Sequence, residues 1–387
     1  MVNQLSKVQP DGCNFTSLPA FDALSYTWNF DPSDHISSFN VSEVIIVDNC
    51  CFHAQGNLYL ALEALRHEGQ SIPIWIDAIC INQHDHQEKG HQVNSMNRIY
   101  SSAQTVHVWL GPLNDGLRSG FSFIQSRQQL DIIHHPEAIA SLIQLVNRSY
   151  WQRAWIRQEV ILAKTAQVHC GVFSCDWETF IDVFRDAHIF NFVVRMLGCY
   201  GEARSWHESF QERISALLSI DSERREMTQR REKRPDRFTQ ALMRFGLAEA
   251  TELRDRVYAL LSLYVDTADP AALQADYSIS CKQLFFAVLG FSRTISGCGC
   301  AELGGQLLKV LDLDEGDMTP IILRTQPIID EINMIADPMT ANQHLTLRFL
   351  KDFLEAAEST KLSVNWTLDR GQYPGSDKPD PKRWEFL

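Results

Sequence analysis

Short apolar segments alternate with amphipathic ones along the first half of the chain. Residues 21–28 are rich in aromatic and apolar side chains, and residues 72–80 form a longer apolar run, so both are predicted to be buried strands. Apolar residues recur at spacings of three and four between and after them, which predicts helices. Such alternation is typical of βαβ units around a parallel sheet. The predicted strands are 21–28, 43–48, 72–80, 105–110 and 166–171, and the predicted helices include one capped by Asn57, one ending near Ala103 and one over 149–164.

The pattern changes near residue 176, after which helical periodicity with long polar connections prevails. Residues 221–237 are dense in charges of both signs, which predicts a solvated helix face or a loop. Residues 253–263 are predicted to form a compact amphipathic helix. The predicted fold class is therefore α/β, a parallel sheet flanked by helices and followed by a mainly helical C-terminal region. The predicted domains are an irregular lead-in (1–20), an α/β domain (21–175), a helical domain (176–370) and a tail (371–387).

Composition narrows the class of protein. The chain has 387 residues, of which 45% are hydrophobic and 21% charged, as in ordinary soluble globular proteins. Its net charge of −13 argues against general binding to nucleic acid or anionic lipid. The N-terminus lacks a secretory signal, and no apolar run approaches the ~20 residues that span a bilayer. We therefore expect a soluble, cytoplasmic protein with no membrane span and no nucleic-acid partner.

Cysteine and histidine spacing predicts no metal or cofactor. The ten cysteines are scattered and do not form the framework of a small disulfide-rich domain. Cys50-Cys51 and the pair at 298 and 300 lack a second Cys/His pair at zinc spacing. We expect buried, reduced thiols. The loop histidines His84, His86 and His91 are expected to be solvated rather than to bind a metal.

Glu159 is the most informative single position. If residues 149–164 are helical, Trp155, Glu159 and Leu162 share one face beside an apolar face. A carboxylate among core-directed side chains costs several kcal/mol unless it is compensated. One interpretation is a structural ion pair with Arg153 or Arg157. The other is a catalytic carboxylate that faces a cleft.

Polar and aromatic side chains follow two of the predicted strands. Ligands bind open parallel sheets beyond the carboxyl ends of the strands, so these side chains would wall one crevice if the strands are neighbours. Tyr26 or Trp28 would stack on an adenine or nicotinamide ring, although core packing is the simpler role for either. Asp77 would touch substrate or cap a turn. The predicted substrate-binding residues are Ser25, Tyr26, Trp28, Asp77, Cys80, Asn82 and Trp155.

The serine hydrolase elbow, the phosphate-cradling loop and the dinucleotide fingerprint are all missing from the sequence. Serine hydrolase, P-loop nucleotidase and ordinary dehydrogenase interpretations therefore lose support.

Several ordered motifs over roughly residues 20–280 resemble those of fungal heterokaryon-incompatibility (HET) domains. The sequence departs from the family at Asn29, where a glycine is usual. The matching segments are 23–28, 75–83 with Glu88, Gln92 and Met96, 99–111, 153–159 and 254–261 with Asp276 and Tyr277.

HET domains in turn resemble Toll/interleukin-1 receptor (TIR) domains, and the same landmarks can be aligned that way. Residues 21–26 are similar to the first TIR strand and residues 75–77 to the second. Trp155 and Glu159 resemble the helix that carries the glutamate of NAD-cleaving members. The resemblance implies that the parallel sheet is flavodoxin/TIR-like. It also implies a catalytic Glu159, NAD as substrate rather than cofactor, a homo-oligomer, and partners among incompatibility or signalling proteins.

Three functional hypotheses remain open at this point. The first is a TIR-like NAD-cleaving enzyme of fungal non-self recognition and programmed cell death. The second is a non-catalytic HET module that signals through protein contacts, with Glu159 structural. The third is a HET-like scaffold recruited to small-molecule biosynthetic chemistry.

Overall fold

A computed structural model describes the chain in segments. These are residues 20–34, 43–66, 73–83, 85–126, 136–186, 204–229, 235–265, 273–296, 300–313, 366–369 and 383–386. The predicted lead-in, apart from residue 20, and the tail, apart from residues 383–386, lie outside the described residues. His84 and the side chain of His86 also lie outside them.

The central sheet confirms the predicted α/β class. Among the described residues it has five strands in the order β4-β1-β5-β6-β7. The first four run parallel and β7 pairs antiparallel with β6. If only the five strands of this sheet are numbered along the chain, their spatial order is 2-1-3-4-5, which is the flavodoxin-like order. The strands are β1 (Asp22–Tyr26), β4 (Ile74–Trp75), β5 (Thr105–Trp109), β6 (Thr165–Cys170) and β7 (Phe173–Asp176), and the hairpins outside the sheet are β2 (Glu43–Val47) with β3 (Cys50–Ala54) and β8 (Trp366–Asp369) with β9 (Arg383–Phe386).

Helices flank the sheet and continue into the C-terminal region, as predicted. The segment 116–148 contains two of them. The helices are α1 (Gly56–Leu65), α2 (Asp77–Cys80), α3 (His86–Ser102), α4 (Asp115–Ser126), α5 (Pro136–Val146), α6 (Ile156–Ile161), α7 (Trp177–Arg185), α8 (Arg204–Gln229), α9 (Phe238–Phe245), α10 (Asp255–Tyr264), α11 (Cys281–Ser296) and α12 (Cys300–Val310).

The predicted second strand forms, but it does not join the central sheet. Residues of β2 pair with β3 around a turn in which Asp48 and Asn49 have positive φ. This hairpin and α1 cover one face of the sheet, where Leu24 and Trp109 are buried. The prediction of Asn57 as a helix cap is wrong. Asn57 lies inside α1, and its amide bonds Trp109 and the Thr27 carbonyl.

The predicted strand over 72–80 is too long. Among the described residues the paired strand is Ile74–Trp75, Ile76 is extended, and Asp77–Cys80 forms the short helix α2. The reason is local, because the Asp77 carboxylate accepts a hydrogen bond from the Ala78 N–H and turns the chain. The prediction of one helix over 149–164 is also wrong. A 3-10 turn, Ser149–Gln152, is followed by an extended Arg153 and then by α6.

The helices α8 to α10 pack with the sheet domain. Residues up to Val265, with Ala275–Ser278, belong to one compact unit, and α11, α12, β8 and β9 belong to a second. The predicted domain boundary at residue 175 stays a prediction. The charged run is not simply solvated, since Asp221 and Arg224 of α8 are buried; residues 230–234 lie outside the described residues. In the described part of the chain, no helix combines the length and apolarity needed to cross a membrane.

Candidate functional site

The carboxyl ends of β1 and β4 meet at one edge of the sheet. Asp22 pairs with Ile74 and Ala23 with Trp75, so the strands are parallel neighbours. Ser25 and Tyr26 therefore lie near Asp77, which follows β4 directly. The predicted crevice-forming segments are adjacent, and α6 packs against β1 and β5 beside them.

Glu159 lies at the centre of this edge. It is 2% exposed, and its Oε2 accepts a short hydrogen bond from the Ser25 hydroxyl. The Ser25 Oγ lies 2.5 Å from the Tyr150 hydroxyl. When Glu159 is ionised it can only accept, so Ser25 donates to Glu159 and Tyr150 donates to Ser25. A chain of donors thus runs from Tyr150 through Ser25 to Glu159.

Arg153 is the cation nearest Glu159. Its Nη1 lies 3.7 Å from Glu159 Oε2, within ion-pair range, and it has no hydrogen-bond partner among the described residues. Burial disfavours the charged form of Arg153, yet Glu159 and Asp77 outweigh it and raise its pKa above the ordinary value. The predicted pairing with Arg157 is not found. The Arg157 guanidinium bonds the Arg153 carbonyl instead.

Burial dominates the electrostatics of Glu159. It raises the pKa of that carboxyl to about 7, while Arg153 and the Ser25 hydrogen bond oppose the shift. A structural carboxylate held by a strong ion pair has a low pKa, so Arg153 only partly compensates the buried charge. Near neutral pH the group is divided between its acid and its carboxylate.

Asp77 extends the site towards solvent. Its Oδ2 accepts a hydrogen bond from the Trp28 indole at 3.0 Å, and Tyr26 also bonds this carboxylate. Burial raises the pKa of Asp77, and Arg153 and these donors oppose it. Trp28 is 39% exposed, whereas Tyr26 is buried in the core. Of the two aromatic candidates, Trp28 is the one whose ring faces solvent.

The other predicted site residues are less central. Cys80 is buried at the end of α2, and Asn82 is exposed, with its N–H bonded to Glu88. Trp155 precedes α6, and its side chain donates a hydrogen bond to Asp255. Their substrate-binding roles stay predictions.

Two tyrosines of the site were missed by sequence reasoning. Tyr150 contacts Ser25. Tyr100 of α3 donates a hydrogen bond to the Leu24 carbonyl. Burial raises the pKa of Tyr100, and the nearby carboxylates of Glu159 and Asp77 raise it further. The signal for Tyr100 was its place in the inner face of α3. Nothing in the local pattern distinguished Tyr150 from an ordinary core aromatic.

The arrangement provides an acid-base group, a cation and hydroxyl donors at one buried point. In the part of the chain that the structure describes, no group of three or more His, Cys, Asp or Glu residues is placed to hold a metal ion. The chemistry these side chains can supply is stabilisation of developing positive charge, acceptance of a proton and orientation of a polar ligand.

Comparison with known proteins finds one family match and one similar curated protein. The family model described as "Heterokaryon incompatibility protein (HET)" matches residues 21–159, from the start of β1 to Glu159. The chain is also 26% identical over 315 residues to Heterokaryon incompatibility protein 6, OR allele, of Neurospora crassa. The alignment covers 68% of this chain and 45% of that protein, so the chain spans less than half of this relative. No solved structure matches the chain.

Proposed function

We propose that this chain, whose residues 21–159 match the HET family model, acts in fungal heterokaryon incompatibility by cleaving the nicotinamide-ribose bond of NAD, with Glu159 as the catalytic carboxylate. Incompatibility is supported by the family match and by the name of the Neurospora relative. NAD cleavage is supported by the resemblance to TIR domains and by the site itself. The observation that carries it is the buried Glu159 carboxylate between a serine hydroxyl and an incompletely bonded guanidinium.

One carboxylate is sufficient for this reaction. As the bond to nicotinamide breaks, positive charge develops on the ribose and the leaving group departs as neutral nicotinamide, so no general acid is needed. Ionised Glu159 stabilises the oxocarbenium-like state, and water completes the hydrolysis with loss of one proton. The low polarity around Glu159 strengthens this interaction.

The neighbouring groups suit a nucleotide substrate. The exposed ring of Trp28 offers a stacking surface next to Asp77, which can accept hydrogen bonds from ribose hydroxyls. Arg153 Nη1, which is buried and has no hydrogen-bond partner among the described residues, is the donor that we assign to a substrate oxygen. The proposal sets Trp28, which is 39% exposed, at the outer end of the substrate and the buried Glu159 at its inner end.

Purified protein incubated with NAD tests the proposal. We expect wild type to release nicotinamide, and Glu159→Ala and Glu159→Gln to lose at least about a hundredfold in turnover, about 3 kcal/mol of transition-state stabilisation. Because the ionised form acts and the pKa of Glu159 is raised to about 7, turnover should rise with pH through about 7. Circular dichroism of each variant checks that the fold is intact.

Two outcomes contradict the catalytic assignment. Nicotinamide release that persists in both variants would show that Glu159 is not required. A wild type that is inert over a range of protein concentrations would remove the enzymatic proposal. The concentration range matters because TIR-like domains act as assemblies, and we propose a homo-oligomer here by that resemblance. Light scattering of the active sample tests the oligomer.

A second candidate is a non-catalytic HET module that signals through contacts with other incompatibility proteins. The 2% exposure of Glu159 favours it, because such burial is also what a structural carboxylate shows. Under this alternative, Glu159→Gln retains signalling in a fungal cell-death assay. Under the enzymatic proposal, the same variant loses both turnover and cell death.

A further inference from the structure

The family match ends at Glu159, but the groups that hold the segment around Glu159 come from later in the chain. Residues 152–164 contain Arg153, Glu159 and the whole of α6. They receive contacts from α8, from the loop after α9, and from α10.

Arg224 of α8 binds the end of α6. Its Nη1 donates to the Val160 carbonyl at 2.7 Å and also to the Ala163 carbonyl, and its Nη2 donates to the Lys164 carbonyl at 3.2 Å. The last carbonyls of a helix have no partner within the helix, so a buried guanidinium satisfies them and complements the helix dipole. Arg224 is 9% exposed.

The start of the segment is held by backbone pairing. The Glu249 N–H donates to the Gln152 carbonyl at 2.7 Å, and the Ala154 N–H donates to the Glu249 carbonyl at 2.8 Å. These two bonds form a parallel bridge at Arg153, which explains why the chain is extended there instead of continuing as a helix. Asp255 of α10 accepts a hydrogen bond from Trp155 in the same segment.

Arg157 adds a contact from within α6. Its guanidinium donates to the Arg153 carbonyl and lies 5.6 Å from the Phe245 ring of α9. It is 5% exposed, and burial lowers its pKa to about 10. Burying a guanidinium is costly unless its N–H groups are bonded, and here the Arg153 carbonyl accepts from it.

We propose that the helical region after the family match supplies positioning residues for the Glu159 site, with Arg224 the principal one. Arg224 fixes the end of α6, and the Glu249 bridge fixes Arg153 at its start. Together they set the separation between the Arg153 guanidinium and the Glu159 carboxylate. This inference concerns the site of the proposed function, but its test does not depend on NAD turnover.

The test compares Arg224→Gln with Arg225→Gln in the full chain. Arg225 is the next residue on α8, carries the same charge, and is 52% exposed with ion pairs to Glu178 and Asp221. Two quantities are measured, amide hydrogen exchange of residues 156–165 and the infrared titration of the Glu159 carboxyl. The carboxyl signal is assigned by its loss in Glu159→Gln.

We expect Arg224→Gln to raise exchange in residues 156–165 at least about tenfold and to lower the titration midpoint of Glu159 by about one pH unit. The midpoint falls because a loosened α6 admits water to Glu159 and relieves its burial. Arg225→Gln should leave both quantities as in wild type. Equal behaviour of the two variants would overturn the inference.

A conservative variant covers the case in which Arg224→Gln does not fold. Arg224→Lys keeps the charge but cannot reach three carbonyls at once, so we expect changes in the same direction and smaller size. Wild-type exchange and midpoint in Arg224→Lys would also overturn the inference. If wild type is inert towards NAD, the proposed function fails while these two readouts still decide the role of Arg224.

Discussion

Two buried polar clusters on the central sheet differ in how fully the carboxylate of each is hydrogen-bonded. Asp22, at the start of β1, accepts the Thr105 N–H at one oxygen, 3.0 Å away, and contacts His107 Nε2 at the other, 3.1 Å away. His107 Nδ1 in turn lies 3.0 Å from His169 Nε2. Glu159, near the opposite end of β1, has the Ser25 hydroxyl and an Arg153 guanidinium 3.7 Å away.

The difference separates a structural carboxylate from a candidate catalytic one. Asp22 has a partner at each oxygen, one of them a backbone donor fixed by the sheet. Glu159 is more deeply buried and less well compensated, and burial raises its pKa to about 7. Structural networks are satisfied because unsatisfied buried charge costs stability, whereas functional sites retain such imbalance. The two clusters should therefore respond in opposite ways to neutral isosteres.

The largest expected effect is on the pH dependence of stability. The pKa of Glu159 is about 7 in the folded chain against 4.5 ordinarily, so the folded state binds the proton more tightly. The stability that this tighter proton binding gives to the folded state is fully present below pH 4.5 and is lost as pH rises through about 7. The free energy of unfolding then falls by about 3 kcal/mol. Urea unfolding across this range should show the fall in wild type and its loss in Glu159→Gln. Equal slopes would contradict the prediction.

Asp22→Asn should act on stability alone. It replaces a carboxylate that accepts hydrogen bonds at both oxygens, so we expect a loss of about 2 kcal/mol in the free energy of unfolding. Turnover of NAD by the folded fraction should stay within about twofold of wild type, since this cluster does not contact Glu159. The measurements are urea unfolding and nicotinamide release on the same sample. A large loss of turnover at full folding would make the Asp22 cluster part of the site.

Ser25→Ala should shift the acid-base behaviour of Glu159 by a smaller amount. The Ser25 hydrogen bond lowers the pKa of Glu159, so its loss should move the midpoint of the pH-rate profile above about 7. At pH 7 we expect about a tenfold loss of turnover, roughly 1.4 kcal/mol, as one charge-assisted hydrogen bond is removed.

Tyr150→Phe serves as the matched control for Ser25→Ala. It removes the donor to Ser25 but leaves the Ser25–Glu159 bond, so its shift should be smaller and in the same direction. A larger effect for Tyr150→Phe would mean that Tyr150 contacts the reacting groups itself.

The sequence predicted elements more reliably than contacts. The strands at 105–109 and 165–170 and the apolar face of α3 were predictable because their periodicity is regular and their apolar side chains are buried. The α/β class with a parallel sheet followed from the alternation of strands and helices, and the flavodoxin-like strand order from the resemblance to TIR domains. The short helix α2 was missed because Asp77 ends the strand through a side-chain bond that periodicity does not encode.

The site was predictable only in part, because several of its contacts are also side-chain or backbone bonds that periodicity does not encode. Glu159, Ser25 and Asp77 were found from strand ends and from a charge at a core-facing position. Tyr150 was not found, because its role depends on a contact across 125 residues of chain. Arg153 was named as one of two possible partners, and only the bridge to Glu249 determines that it, and not Arg157, faces Glu159. Long-range backbone pairing leaves no local pattern.

The smallest expected effect concerns the outer end of the Glu159 site. Trp28 is 39% exposed and far less constrained than the buried residues, so its substitution should cost little stability. If its ring stacks on the substrate, Trp28→Ala should raise KM about fivefold, about 1 kcal/mol, with kcat unchanged.

Trp28→Phe keeps a ring but removes the indole bond to Asp77, so it separates stacking from the positioning of Asp77. A KM near wild type in Trp28→Phe supports stacking, whereas equal losses in both variants would assign the effect to the Asp77 bond. A wild-type KM in Trp28→Ala would remove Trp28 from the site and leave Glu159 without an aromatic contact at its entrance.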